Sequence, residues 1–137
     1  MVKTIISTIV VAILLAVGSL YEHNFITRQF DELSTNLEIL YEKIEEEEAI
    51  EDDVYAVQTA WLDKKRFLHI FIPHNEIKEI DLWLSESATL VRDKEWKDAI
   101  SKIEVLIELS EQIPKTFSLK IENVLKNPYS TLSVIQF

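Results

Sequence analysis

The sequence predicts an all-α protein: an N-terminal transmembrane helix that continues into an antiparallel bundle of about four helices, followed by a short C-terminal helix and a tail. Three observations predict it. The 137 residues contain one glycine and three prolines, and so few breakers among abundant Leu, Ile, Glu and Lys make a helical composition. An apolar stretch from Ile5 to Tyr21 carries no charge. Beyond it, apolar residues recur at alternating steps of three and four, the signature of helices with one buried face.

The elements follow in order. Ile5–Tyr21 covers roughly 26 Å as helix, the short end of what crosses a bilayer's hydrocarbon core. Lys3 at one end favours a cytoplasmic N-terminus, and Tyr21 at the other suits the headgroup level. Ala16-Val17-Gly18 also resembles a signal-peptide cleavage site, so an uncleaved anchor and a cleaved leader are both open, and either exports the remainder. The expected division is 1–22 for the anchor, 23–126 for an extracytoplasmic bundle and 127–137 for the tail.

Phe30, Leu33, Leu37, Leu40 and Ile44 form a first seam. Ile50, Val54, Val57, Trp61, Leu68 and Phe71 form a second, with a missing step at Lys64. Between them, residues 42–53 read E-K-I-E-E-E-E-A-I-E-D-D. Like charges this dense weaken a helix, so a turn is expected near Glu46 to Asp52, the alternative being one continuous rod to Phe71. Pro73 is expected to stop the second helix, since it lacks an N–H and disfavours helix at Ile72.

Asn75 is the expected cap of a third helix with the seam Ile77, Ile80, Leu84, Ala88 and Val91. Asp93 is the expected cap of a fourth, carrying Trp96, Ala99, Ile103, Leu106, Ser110 and Ile113, with Pro114 ending it. Ser118 would cap a short piece from Leu119 to Lys126, closed by Asn127-Pro128. Residues 129–137 read as coil or a brief extended segment.

Composition bounds the chemistry. Cysteine is absent, which removes disulfides, lipidation at cysteine and thiol catalysis. A formal net charge of −10 argues against nucleic acid as a partner. The sequence contains no phosphate loop, nucleophile elbow or zinc signature. No enzymatic activity and no cofactor are therefore expected.

Two segments, F-L-H-I-F-I-P-H-N-E-I-K-E-I-D (Phe67 to Asp81) and F-S-L-K-I-E-N-V-L (Phe117 to Leu125), carry a resemblance. With the N-terminal apolar segment and Trp61, they resemble the bacterial family called domain of unknown function 4363. The resemblance implies a bacterial, membrane-anchored helical protein and supplies no catalytic residues. The chain departs from it at Pro73, where an acidic residue is expected before His74, so its turn there is its own.

Candidate sites are few. His69, His74, Glu76 and Asp81 lack the spacing that sets two imidazoles on one helical face, so no metal site is expected there. The run Glu42–Asp53 lacks the glycine and ligand order of a calcium loop and reads as a solvated helix end. Trp61, Trp83 and Trp96 read as bundle aromatics. Lys64, Lys65, Arg66, Phe67 and Phe71 form a candidate membrane-surface contact. A second helix descending as far as the first climbs would return them to the bilayer, although core packing explains the aromatics equally well.

The wide apolar surface of the fourth helix makes Val105 and Leu109 candidate partner contacts, unless that helix is central in its own bundle. Leu132, Ile135 and Phe137 in the tail are further candidates. The expected role is a membrane-anchored interaction module. It would contact the lipid bilayer through residues 5–21 and bind another envelope protein or itself. The alternative is a sensor-like bundle that holds a small ligand and signals through a separate partner, no output domain preceding the anchor.

Overall fold

The computed structural model describes residues 1–126. Four helices run in chain order: α1 (Val2–Glu45), α2 (Glu51–Leu68), α3 (His74–Arg92) and α4 (Trp96–Lys126). Each packs on its chain neighbour, and α4 closes the ring against α1, giving an up-down-up-down bundle. The four expected seams become the interior. Phe30, Leu33, Leu37, Leu40 and Ile44 are buried, as are Val54, Val57, Trp61 and Leu68. Ile77, Ile80, Leu84, Ala88 and Val91 meet Ala99, Ile103, Leu106, Ser110 and Ile113 from the other side. The tail residues 127–137, with Leu132, Ile135 and Phe137, lie outside the described residues.

The acidic junction resolves in favour of the bundle over the rod. α1 stops at Glu45, Glu47 takes a left-handed backbone (φ 59°), and the N–H groups of Glu48 and Ala49 both return to the Lys43 carbonyl at 2.9 and 3.1 Å. Ile50, expected in the second seam, is exposed because it sits at the N-cap of α2, before the helix begins to bury a face. Its N–H donates to the Asp53 carboxylate at 2.9 Å, and Lys43 Nζ reaches the other oxygen at 2.6 Å.

These contacts hold the Asp53 carboxyl below its ordinary range, the Ile50 N–H being the main cause and Lys43 the next. A depressed folded-state pKa stabilises at neutral pH, and the contribution is lost as pH falls through about 4 and below. Asp53→Asn should therefore reduce stability by about 1 kcal/mol at pH 7. The gap to the unsubstituted protein should narrow progressively as pH falls below about 4, as checked by thermal unfolding across that range.

Three helix ends differ from expectation. α2 ends at Leu68, before Pro73, and residues 69–73 form the turn with Ile72 buried and Phe71 half-buried. α3 begins at His74 with Pro73 at its N-cap, not Asn75. Proline suits that place because the first turn's N–H groups have no partner inside the helix and its φ is already fixed near −54°. Asp93 closes α3 instead of opening α4. Lys94 turns the chain at φ 57°, and the Glu95 carbonyl accepts the Ala99 N–H at 3.0 Å.

Pro114 lies inside α4, which continues to Lys126, so the separate piece from Leu119 does not exist. The proline removes one N–H from the ladder. Burial of Ile113 and Pro114, with Phe117 packed edge-on against Phe71 at 6.4 Å between centroids, keeps the helix on course past it.

Candidate membrane-proximal site

α1 has two halves of opposite character. From Val2 to Tyr21 its large apolar side chains are exposed, and the first buried residue is Ile26. Among the described residues it is the one helix long and apolar enough to cross a membrane, and none of that apolar window is buried. No break separates the halves, so the expected boundary at residue 22 falls within one continuous helix.

The α2–α3 turn comes down to where this apolar half begins. Phe67 shares a cleft of about 520 Å³ with Phe25 and Gln29 of α1, only a turn of helix above Tyr21. Phe67 is 53% exposed and Ile70 77% exposed, and the Arg66 guanidinium lies 5.6 Å from the centre of the Phe67 ring. These three side chains face outward at the end of the bundle nearest the apolar half.

The rest of the expected cationic patch is otherwise engaged. Lys64 fills the missing step of the α2 seam, and its ammonium reaches Glu32 and Gln29 on α1, the latter at 3.3 Å. This contact holds the Glu32 carboxyl below its ordinary range, first through the hydrogen bond and then through the charge of Lys64. Lys65 Nζ bonds one oxygen of Asp81 at 2.8 Å, while Trp61 Nε1 donates to the other at 2.7 Å. Phe71 turns inward to Phe117. A lipid contact at this turn therefore rests on Arg66, Phe67 and Ile70. Ile70 belongs to the same sequence segment, and the turn geometry is what exposes it.

The remaining candidates fall into place. His69 and His74 stack across the turn with centroids 5.5 Å apart, while Asp81 faces α2 instead. No group of three or more metal-binding side chains forms among the described residues. Trp83 lies under the Lys102 ammonium at 4.1 Å. Leu109, Ile100 and Ile107 pack against the core because α4 is flanked by both α1 and α3. α4 thus turns its wide apolar surface into its own bundle, and of Val105 and Leu109 only Val105 stays outside the core cluster.

The outer face between α1 and α4 holds a feature the sequence did not single out. Glu38, Glu42 and Glu45 from α1 line one shallow cleft with Glu104, Glu108 and Glu111 from α4. Tyr41 donates from its hydroxyl to Glu104 at 3.4 Å. Partial burial raises the pKa of the phenol, reinforced by Glu104 and Glu45. Each half is a run of glutamates at helical spacing, and only the antiparallel pairing joins them.

Residues 20–124 match the family model described as Domain of unknown function (DUF4363). The chain belongs to this family. The match covers the whole bundle and leaves most of the apolar half of α1 outside it. No curated protein and no solved structure matches the chain.

Proposed function

We propose that this DUF4363 protein is a membrane-anchored, non-enzymatic interaction module. Residues 5–21 of α1 cross the bilayer, with Lys3 on the cytoplasmic side and the bundle on the extracytoplasmic side of a bacterial envelope. The observation that carries the reading is the continuity of α1: one unbroken helix is bare and apolar along one half and is the bundle's first helix along the other. Such a helix fixes the bundle's height and orientation over the membrane. That suits a subunit that meets a neighbour in the same membrane.

The partner is another envelope protein or a second copy. Since α4 turns most of its apolar side chains inward, the surface offered is largely polar, and the carboxylate strip favours a neighbour with a cationic face. A non-enzymatic role is supported by the engagement of Asp81 and Lys65 with each other and of Lys64 with Glu32. The test is photo-crosslinking in cells from positions 42, 105 and 108. A discrete adduct, heteromeric or homodimeric, is expected from at least one. Monomer alone at all three would end the proposal.

A further inference from the structure

The four helices do not end at one level. α2 and α3 meet at the turn 69–73, near Phe25, whereas α4 continues to Lys126. Its antiparallel register on α1 can be followed downward. Tyr41 meets Glu104, Thr27 and Asp31 lie opposite Glu111 and Lys115, and Ser118 and Glu122 share a cleft of about 710 Å³ with Leu15, Ser19 and His23. The cleft reaches as far as Ala12. The last turns of α4 therefore run from the level of His23 down alongside the part of α1 whose side chains are apolar or small.

Length decides what surrounds them. A hydrocarbon core of about 30 Å takes about 20 helical residues, and the exposed apolar half from Val2 to Tyr21 offers no more than that. If water bathed α1 down to Ala12, the apolar helix left would span only about 15 Å, half of what a bilayer needs. The end of α4 and a spanning α1 can coexist only if the end of α4 is itself in the membrane.

Resting on the anchor reading above, we infer that Ser118–Lys126 of α4 enters the leaflet facing the bundle, from the interfacial layer at Ser118 and Leu119 downward, against phospholipid. The base of the bundle sits in lipid instead of standing above it. The side chains suit that depth. Leu119 is 59% exposed. Glu122 and Lys126 form an ion pair one turn apart, and with Lys120 the segment carries a net positive charge that suits phosphate headgroups. Phe67 and Ile70 lie just above with Arg66, apolar groups below a cation, as at a headgroup boundary.

The absence of cysteine makes the test direct. Full-length protein carrying Leu119→Cys, Leu14→Cys or Asp52→Cys is labelled with an environment-sensitive fluorophore. Each is reconstituted at low density in phosphatidylcholine vesicles containing nitroxide-labelled lipid. The label at 119 should be quenched several-fold more than that at 52, most strongly by shallow nitroxides, and the label at 14 most strongly by deep ones. Unchanged circular dichroism of each variant guards against misfolding. Quenching at 14 with none at 119 overturns this inference and leaves the anchor standing. Quenching at neither position overturns both.

Discussion

Trp61→Ala should lower the unfolding free energy by about 3–5 kcal/mol, the usual range for removing a large buried aromatic. A domain of this size has only about 5–15 kcal/mol in all. Trp61 is 1% exposed, its ring lies 6.0 Å from that of Phe30, and it is the largest fully buried side chain of the core. It links three helices, packing on α1 from α2 while donating from its indole nitrogen to Asp81 on α3.

Trp61→Phe separates these contributions. The ring contact largely survives, and Asp81 keeps Lys65 and access to water, so the loss should be about 1 kcal/mol. Denaturant unfolding in detergent micelles, followed by the fluorescence of the remaining tryptophans, measures both variants. Equal losses from the two would mean that the hydrogen bond, not the packing, is what Trp61 supplies.

The interior was legible in the sequence because burial on a helix has a period, and the four seams state it almost residue by residue. Even the flaw in the second seam was visible. Lys64 stands where an apolar residue belongs, but its partner Glu32, on another helix, could not be named from spacing. The helix ends were less legible because several residues compete to begin or stop a helix and local chemistry does not rank them. Pro73 opens α3 in place of Asn75, the expected cap, and Asp93, the expected cap of α4, closes α3.

Pro114 shows the limit most clearly. A missing N–H is a sound local reason to end a helix, yet packing of Ile113, Pro114 and Phe117 overrides it. With that boundary gone, α4 extends down the apolar half of α1, which no single-helix pattern reveals. The carboxylate strip was hidden for the same reason, since register between helices belongs to the tertiary structure.

Removal of residues 2–22 should move the protein from the membrane pellet to the soluble fraction while leaving the bundle folded. A spanning helix inserts in effect irreversibly, whereas interfacial contacts alone bind reversibly. The shift should therefore be nearly complete after a wash. The fold should survive because burial begins at Ile26, and the Lys64–Glu32 pair and the Trp61–Asp81 bond all lie beyond the cut.

What the truncated chain loses is the stretch of α1 beside Ser118 and Glu122. Helicity should drop slightly more than the deleted residues account for, as the end of α4 frays. The exposed Phe67, Ile70 and Leu119 should leave a weak, reversible affinity for vesicles. Sedimentation after carbonate washing, with circular dichroism of the soluble fraction, reads each outcome. A truncated chain still firmly in the pellet would show that the bundle, not α1, holds the membrane. An unmodified chain found to begin at Ser19 by mass spectrometry would show instead that the apolar half is a leader, cut away after export.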